Sequence, residues 1–535
     1  MASDLETWAQ DQKWLRTKLA LTFLVLFIAF NYIRTAFKPD IRDLPGPLIA
    51  RFSNLYKLYM VYDGRCHIKN LDLHEKYGPM VRVGPRHVCI SDTAAMSTIY
   101  SISTKFVKSE SYTPLGFKYK GKPIDTLFAT QDPVIHKRLS VPVSQMYSMT
   151  SIRTLEPGVD ECSDIFLKAM HELEGQEIDL GVWLHWWAFD SIGAITFNKR
   201  FGFLERRADI EGMIDSLKKG LLYGSIVSQV PLLHQYLLGN ETFLSILKSL
   251  PGFFDPFGYM CSIATEQMKR YDEEENHGQR NDFLAWLRTE ANTGKHEVSE
   301  PDMIGYLLAN LTASSDTTAI TLRAIFYYLM QDPELFKKLH QEIDDADSSG
   351  RLSKHISYAE SLQLPYLQAV IKEALRLHPA VAAPLERVVP PEGATVGGHY
   401  LRAGTIVGMN PWVIHRDTTI YRTDAEKFRP ERWIDSSEEQ LKLMGRYFMA
   451  FGQGARTCIG KNISLMEMGK IVPQLLREFD VEWASTEPDW TVRTYFFSMQ
   501  EGLIVRLKPN GTGDEQKKIG DLELGSYSLA GNIPS

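Results

Sequence analysis

The feature that most constrains this chain is a glycine-rich loop around one cysteine, residues 451–460, Phe-Gly-Gln-Gly-Ala-Arg-Thr-Cys-Ile-Gly. Its glycines permit positive φ angles and let the backbone approach a flat, bulky partner. Cys458 stands just before an apolar, helix-like run that begins at Ile463. Amides and the dipole at a helix N-terminus lower the pKa of a thiol, and a thiolate in such a loop is a suitable axial ligand for haem iron. The alternative is an ordinary buried free cysteine, which is a common state of cysteine.

Composition favours one large catalytic domain with short tails. The chain has 535 residues but no Gly/Ser-rich or Pro-rich linker and no internal repeat. Its net charge of −7 argues against general nucleic-acid binding. The five cysteines are unclustered, which suits a reducing compartment and provides neither a disulfide framework nor a zinc spacing.

The amino end carries a candidate membrane anchor. Residues 19–30 are apolar except for Thr22, and residues 14–33 approach the ~20 residues needed to span a bilayer. A stiff, turn-forming Leu-Pro-Gly-Pro segment follows at 44–47. A cleaved secretory signal is the alternative, but no Ala-x-Ala-like site follows the apolar run. Basic residues flank the run on both sides, so charge does not settle its orientation.

A long helix with an unusual middle is predicted from Asp302 to Met330, and Ser299 and Asp302 form a capping-box pattern at its start. Residues 311–319 are small and polar for such an apolar helix, and hydroxyl residues there compete for backbone hydrogen bonds and can open a groove. Asp316 and Thr317 form an acid–alcohol pair in this stretch. A polar stripe that faces another helix is the alternative.

A second helix, residues 364–379, places Glu373 and Arg376 on one face at i,i+3 spacing among apolar neighbours. Short strands are predicted within 77–90, 381–389 and 404–409, and a hairpin within 495–502. Residues 104–130 have no clear period and are predicted to form a loop.

These motifs together resemble those of the cytochrome P450 superfamily. The resemblance rests on Phe-x-x-Gly-x-Arg-x-Cys-x-Gly at 451–460, the small-polar helix motif with Asp316-Thr-Thr, Glu-x-x-Arg at 373–376, and Phe-Arg-Pro-Glu-Arg-Trp at 428–433. It covers roughly residues 44–507 and looks most like a fungal microsomal member, similar to pisatin-demethylase-like enzymes. Two positions depart from the family pattern: Ser314 replaces the usual Gly, and Ser140 replaces an Arg near a haem propionate.

The resemblance implies a mainly α fold with small β-sheets (α+β), preceded by a single N-terminal transmembrane helix. We expect a membrane anchor in residues 1–38, a haem-thiolate catalytic domain in 39–507 and a flexible tail in 508–535. Two glycosylation sequons, at Asn310 and Asn462, fall in the long helix and just after the cysteine, where a glycan does not fit. This favours a cytosolic catalytic domain on the endoplasmic reticulum.

The implied cofactor is heme b, with Cys458 as its axial ligand. Further cofactor contacts are implied for Arg456, His136, Arg387, Phe451 and Gly454, although a surface position is the alternative for His136. The chain contains no flavin or nicotinamide fingerprint, so electrons are expected from NADPH through a separate NADPH-cytochrome P450 reductase. A basic docking patch for that reductase is expected on Lys427, Arg429, Arg446 and Lys461.

The resemblance also assigns roles within the site. Asp316 and Thr317 are expected to manage protons for dioxygen, while Glu373, Arg376 and Arg432 form a structural clamp behind the cysteine loop. Residues 104–130 are expected to roof the pocket, and the expected substrate contacts are Ala313, Val381, Ala382, Ala383, Leu385 and Phe497.

The expected function is a monooxygenase that inserts one oxygen atom from O2 into an apolar small molecule, in fungal secondary-metabolite biosynthesis. A haem-thiolate isomerase or dehydratase that needs no reductase is one alternative, and a non-catalytic haem-binding protein is another. The Asp316–Thr317 pair argues against both. The sequence does not name the substrate.

Overall fold

The computed structural model describes residues 2–274 and 280–510, and helices carry most of this part of the chain. The helices are α1 Ala2–Ala36, α2 Leu55–Tyr62, α3 Cys66–Tyr77, α4 Met96–Tyr100, α5 Pro133–Val143, α6 Met149–Arg153, α7 Glu156–Glu172, α8 Leu180–Phe197, α9 Phe203–Arg206, α10 Met213–Val227, α11 Glu241–Lys248, α12 Pro256–Glu273, α13 Phe283–Thr293, α14 Glu300–Ala309, α15 Ser315–Gln331, α16 Pro333–Ser348, α17 Tyr358–Ser361, α18 Pro365–Leu377, α19 Pro411–Ile414, α20 Thr418–Tyr421, α21 Glu438–Arg446 and α22 Lys461–Glu478. A π-helical turn, Asn310–Ser314, joins α14 to α15. The predicted mainly α fold is therefore confirmed.

The strands are short and form small sheets. They are β1 Met80–Gly84, β2 His87–Ile90, β3 Val107–Lys108, β4 Phe117–Tyr119, β5 Lys122–Ile124, β6 Glu177–Asp179, β7 Arg387–Val388, β8 Ala394–Val396, β9 His399–Leu401, β10 Ile406–Gly408, β11 Phe479–Trp483, β12 Thr491–Thr494, β13 Ser498–Glu501 and β14 Ile504–Pro509. A five-stranded sheet has the order β1-β2-β10-β7-β3, with β10 parallel to β2, and β14 lies between β11 and β6 in a second sheet. The β12–β13 hairpin matches the predicted one, with Phe497 at its tip.

The active-site helix runs through the centre of the core. The helix α15 packs against α8, α18 and α22, and all but four of its seventeen residues are buried. The aromatic run of α8 is core, because Trp187 and Phe189 are both fully buried there. At the carboxyl end, β14 continues through Pro509, and the predicted tail from residue 511 lies outside the described residues.

The helix α1 contains the predicted anchor. Its segment Gln12–Ala36 has a mean hydropathy of 1.8 and is long enough to cross a membrane. The buried side chain of Arg82, on β1, donates hydrogen bonds to the carbonyls of Thr35 (2.9 Å) and Ala36 (2.8 Å), the last residues of α1. These carbonyls have no partner within a helix, so Arg82 caps α1 and joins it to the catalytic domain.

A fully buried charge cluster, which we call the clamp, consists of Glu373, Arg376 and Arg432. Arg376 donates to both carboxylate oxygens of Glu373 at 2.8 and 2.9 Å, and Arg432 adds a bond of 3.0 Å. The remaining guanidinium donors of Arg376 bind the carbonyls of His415 and Ala425, among others. Burial raises the pKa of Glu373, but the two arginines outweigh it and hold the pKa below its usual value.

His415 connects the clamp to the cysteine loop. Its Nδ1 lies 2.8 Å from the carbonyl of Arg376, and its Nε2 accepts a 2.7 Å hydrogen bond from the amide of Met449, where the loop begins. Burial lowers the pKa of His415 to about 3, so the ring is neutral and can donate on one side while it accepts on the other. The position of the loop therefore depends on the clamp.

Replacement of Arg376 tests this dependence. Because Arg376→Ala leaves the Glu373 carboxylate with Arg432 as its one arginine partner and several carbonyls without donors, we expect a loss of about 3–5 kcal/mol in the free energy of unfolding. The control Arg376→Lys keeps the charge but loses the two-pronged contact, and its loss should be smaller. Thermal unfolding and limited proteolysis of the 449–460 loop measure the effect. An unchanged melting temperature in Arg376→Ala would refute the proposed dependence.

Candidate active site

A cavity of about 520 Å³ lies between the middle of the α14–α15 helix and the cysteine loop. The loop supplies residues 449–452 and 454–460 of its wall, and residues 112–128 supply part of the opposite wall, where the sequence predicted a roof. The lining is mostly apolar, and no Asp or Glu is among the described residues that line it. Such a cavity suits a flat, largely apolar group together with a small molecule.

Cys458 lies at the start of α22 and faces this cavity. Protein surrounds the side chain, and the cavity alone exposes it. Burial raises the pKa of the thiol, and the amides of Gly460 and Lys461, which donate to the sulfur, offset this only in part. The lowered pKa expected from the sequence is thus outweighed by desolvation. Coordination to a cation deprotonates a thiol outright.

The other four cysteines lie away from this cavity. Cys66, Cys89, Cys162 and Cys261 are all buried, and burial raises the pKa of each thiol. None of them lines the cavity. Cys458 is therefore the cysteine placed to act there.

The conformation of the loop requires glycine at 454. Gly454 has a φ of +66°, and a Cβ atom there would lie 1.5 Å from the carbonyl oxygen of Tyr100. Phe451 lines the cavity beside it, and its carbonyl accepts a 2.8 Å hydrogen bond from the amide of Cys458. The loop is thus closed on itself and packed against the last residue of α4.

Three cations converge on one side of the cavity. Lys108, Arg387 and Arg456 all line it, and none forms a salt bridge with a carboxylate in the part of the chain that the structure describes. The nearby Glu386 is instead bound by Lys57 at 2.5 Å. The Nη1 atom of Arg456 is buried without any hydrogen-bond partner among these residues.

The pKa values reflect this accumulation of positive charge. Burial lowers the pKa of Lys108 well below its usual value, with further contributions from Arg387 and Arg456. Burial lowers the pKa of Arg456 to about 10 and that of His136, which also lines the cavity, to about 4. Two carboxylates in the cavity would relieve this repulsion and satisfy the unpaired Nη1.

Arg138, on α5, is a further cation close in sequence to Ser140, but it does not line the cavity. Ser140, the departure from the family pattern, lines the cavity. Arg138 instead pairs with Asp302 through two hydrogen bonds of 2.8 and 2.9 Å. Lys108 supplies a cation in the cavity that the sequence pattern did not predict there.

The predicted groove in the long helix corresponds to the π-helical turn. π-helical turns are common at functional sites because they displace backbone and side chains locally. Ser314, within the turn, and Thr317, just after it, both line the cavity. The Thr317 hydroxyl donates a 2.7 Å hydrogen bond to the carbonyl of Ala313.

Asp316 does not face the cavity. Its Oδ1 lies 2.6 Å from the Nε2 of His185 on α8, and both residues are buried. Burial lowers the pKa of His185, and Asp316 partly opposes this shift. His185 lines a separate polar cleft of about 260 Å³, whose walls include the exposed side chains of Asp215 and Lys218. Thr317 therefore faces the main cavity, whereas Asp316 faces His185 and the second cleft.

The predicted substrate contacts divide into two groups. Ala313, Val381, Leu385 and Phe497 line the cavity. Ala382 is fully buried, and its amide donates to the carbonyl of Phe496. Ala383 lines a different pocket. Val381 forms an isolated bridge with Phe497, and the chain bends at Ala383, so the side chains after Val381 do not keep the alternation of a regular strand. We leave Ala382 and Ala383 out of the proposed substrate contacts.

Aromatic residues from distant segments complete the wall. Tyr112, Phe117, Phe128 and Phe257 line the cavity, and the rings of Phe117 and Phe257 meet edge to face with centroids 6.0 Å apart. Sequence analysis did not single out these residues, nor His185 or Lys108. Their roles depend on contacts between segments far apart in the chain, for which the local pattern holds no signal.

The cavity fits a haem. It offers one cysteine sulfur at a helix N-terminus, a glycine-dependent loop, and three cations without carboxylate partners among the described residues for the two propionates. The protein-family comparison agrees, because residues 44–505 match the model described as Cytochrome P450.

Curated relatives extend over nearly the whole chain. The chain is 36% identical over 499 residues to the cytochrome P450 monooxygenase cicH of Emericella nidulans, which covers 92% of this chain and 98% of the relative. It is 37% identical over 499 residues to the cytochrome P450 monooxygenase gsfF of Penicillium aethiopicum, with the same coverages. It is 33% identical over 482 residues to pisatin demethylase of Fusarium vanettenii, which covers 89% and 91%. The chain thus belongs to the cytochrome P450 family of oxidoreductases, which use a haem ligated by a cysteine thiolate and take electrons from a redox partner.

Proposed function

We propose that this protein is a haem-thiolate monooxygenase that inserts one oxygen atom from O2 into an apolar small molecule in fungal secondary metabolism. The observation that carries the proposal is the cavity, which combines Cys458, Thr317 and an apolar, aromatic wall. The names of relatives such as cicH and gsfF, both monooxygenases, support the same reaction.

In this proposal Cys458 would hold the iron of a heme b through its thiolate. The amides of Gly460 and Lys461 stabilise its negative charge. Lys108, Arg387 and Arg456 bind the propionates, with neutral His136 beside them. Bound haem supplies the oxygen chemistry, which no amino-acid side chain provides.

Thr317 and Asp316 manage protons. The Thr317 hydroxyl lies at the cavity wall and donates its proton to the carbonyl of Ala313, so its oxygen can accept a hydrogen bond from a water molecule and orient it. Asp316, its neighbour in sequence, exchanges protons with His185, which is in contact with the polar cleft. In this proposal a proton from the polar cleft reaches Asp316 through His185, outside the apolar substrate space.

The substrate is held by shape and apolar contact. Ala313, Val381, Leu385 and Phe497 lie on the cavity wall together with the aromatic residues named above. The two propionates would pair with two of the three cations, and the rest of the described lining is mostly apolar, so an apolar substrate is expected. The protein orients this substrate and excludes water from it.

Electrons come from a separate NADPH-cytochrome P450 reductase, which docks on the cysteine-loop side. Lys427, Arg446 and Lys461 are exposed there, while Arg429 is half-buried and paired with Asp424 at 2.9 Å. Residues 1–38 anchor the protein in the endoplasmic reticulum membrane, and residues 39–507 form the cytosolic catalytic domain, whose last strand β14 extends to Pro509. Beyond Asn510 the expected tail lies outside the described residues. The apolar helix α1 supports the anchor.

Oxygen incorporation tests this function. The full-length protein in lipid vesicles, with reductase and NADPH under ¹⁸O2, should add one ¹⁸O atom to an apolar substrate found by its effect on the haem spectrum. Product formation without reductase or without NADPH would favour an isomerase or dehydratase. A haem protein that turns over none of the compounds that perturb its spectrum would favour a binding protein.

Thr317→Ala tests the proton role. Loss of the hydroxyl should lower the amount of product formed per NADPH by about tenfold or more, because proton transfer by a positioned group contributes roughly 10²–10⁴-fold. The matched control Thr317→Ser keeps a hydroxyl and should retain most of the coupling. Product and NADPH are measured in the same reaction. Unchanged coupling in Thr317→Ala would rule out this role.

Charge reversal tests the docking patch. Raising the salt from about 0.01 M to about 0.1 M shortens the Debye length from about 30 Å to about 10 Å, so reductase-supported turnover should fall. Lys427→Glu and Arg446→Glu should each raise the reductase concentration needed for half-maximal turnover by several-fold. The control Lys122→Glu, on the β4–β5 hairpin, should not. Reductase-supported turnover that does not change with salt would contradict the proposed docking patch.

A further inference from the structure

The junction between α1 and the catalytic domain is a bonded and buried part of the fold. Arg82, on β1, is 1% exposed, and among the described residues its guanidinium binds backbone carbonyls instead of a carboxylate. Besides the two carbonyls at the end of α1, its Nη2 donates to the carbonyls of Pro85 at 2.9 Å and Arg51 at 3.4 Å. Burial lowers the pKa of Arg82 to about 10, so it stays charged at neutral pH. Arg82 thus joins the last turn of α1 to two other segments of the domain.

A second set of contacts holds the residues that follow α1. The carboxylate of Asp40 accepts hydrogen bonds from the amide of Arg402 (3.0 Å) and the hydroxyl of Thr405 (3.1 Å), which lie between β9 and β10. Ile41 and Leu44 are buried against residues of β1, β2 and β10. Hydrogen bonds and apolar burial therefore fix this segment at several points, and a free linker would have neither.

The length of this segment shows how much freedom those contacts remove. If residues 37–44 were free, they could extend to about 28 Å. That reach is close to the ~30 Å thickness of the hydrocarbon core of a bilayer. A catalytic domain on such a tether would take many positions over a membrane, whereas the bonded segment permits few.

Exposed apolar side chains lie around the junction. We call three of them, Phe37, Leu48 and Ile49, the collar, and all three are exposed. Phe37 directly follows α1, while Leu48 and Ile49 lie on the short 3-10 helix Leu48–Arg51, whose last carbonyl accepts from Arg82. The collar therefore continues the apolar surface of α1 onto the domain, as expected of side chains at a lipid surface.

We propose that Arg82 is a positioning residue that holds α1 rigidly against the catalytic domain, so that the domain meets a phospholipid bilayer at one fixed tilt with the collar at the lipid surface. The idea rests on the proposed function, because it takes α1 as the membrane anchor. A fixed tilt also fixes the height of the reductase docking patch above the bilayer. A reductase in the same membrane would then meet the patch at a constant height.

The guanidinium group is suited to this role. The last carbonyls of a helix have no partner within it, and leaving them buried without donors is costly. A guanidinium spreads several donors over a plane and can bind carbonyls from different segments at once, whereas the ammonium group of lysine is a compact point charge. Loss of the guanidinium should therefore release the end of α1 from the sheet.

The first test is the distance between α1 and the domain in the full-length haem protein in phosphatidylcholine vesicles. Spin labels at Tyr32→Cys and Glu75→Cys report it, because the native cysteines that do not hold the haem are buried. The reference variant has two glycines inserted after residue 33, which frees α1 and leaves the contacts of Arg82 in place. We expect a distance distribution several-fold narrower without the insertion than with it. Equally broad distributions would overturn the proposal, whether or not any Arg82 variant folds.

Substitution of Arg82 assigns the rigidity to this residue. Arg82→Met should broaden the distribution as the insertion does, and Arg82→Lys should also broaden it, because it keeps the charge but loses the planar set of donors. The matched control is Arg86→Met, which removes a nearby exposed arginine that pairs with Glu110 and should leave the distribution narrow. Arg82→Lys decides the matter if Arg82→Met does not fold. A narrow distribution in Arg82→Lys would overturn the role of Arg82.

The second test is turnover with the reductase in the same vesicles. The glycine insertion should raise the amount of reductase needed for half-maximal turnover several-fold in vesicles, but not in detergent solution, where no bilayer sets the heights of the two proteins. An equal requirement with and without the insertion in vesicles would contradict the fixed height while leaving the proposed function intact. Absence of haem from the wild type would instead overturn the function.

Discussion

The cavity that holds Cys458 depends on a buried ion pair, Glu373–Arg376, that does not line it. Glu373 and Arg376 are completely buried, and such a pair is stable only when its geometry is good and its remaining donors are satisfied. Here Arg432 donates a further hydrogen bond to Glu373, and the carbonyls of His415 and Ala425 accept from Arg376. Through the neutral ring of His415, this cluster fixes the amide of Met449 and so the loop that carries Cys458. A local ion pair thereby sets the position of the cavity floor.

A second principle organises the other side of the cavity. Three successive hydroxyl or acid residues of α15 face three environments: Asp316 faces His185, Thr317 faces the cavity, and Thr318 faces Glu467. The helix is otherwise buried, so each polar group must find a partner. The π-helical turn lies just before them, and its residues Ala313 and Ser314 line the cavity.

Several features of the site could be predicted from the sequence because each lies within one short segment of the chain. The cysteine loop, the Glu373–Arg376 pair and the polar middle of the long helix are each contained within about ten residues, so their patterns survive in the sequence. The mainly α fold was implied by the family resemblance that these motifs carry, and the β12–β13 hairpin overlaps the one predicted within 495–502. What the sequence could not give was direction: that Asp316 points to α8, that Lys108 enters the cavity, or that Ala383 leaves it. These depend on packing between segments 100 or more residues apart, and the roles assigned to the site residues remain proposals.

The measurement that tests the central claim most directly is the carbon monoxide difference spectrum of the reduced protein, with wild type beside Cys458→Ser. The account predicts a red-shifted Soret band in the wild type that is lost in the variant, because the thiolate at 458 is the ligand that causes the shift. A wild type without haem, or a band that Cys458→Ser leaves unchanged, would contradict the account and remove the basis for every role proposed around the cavity.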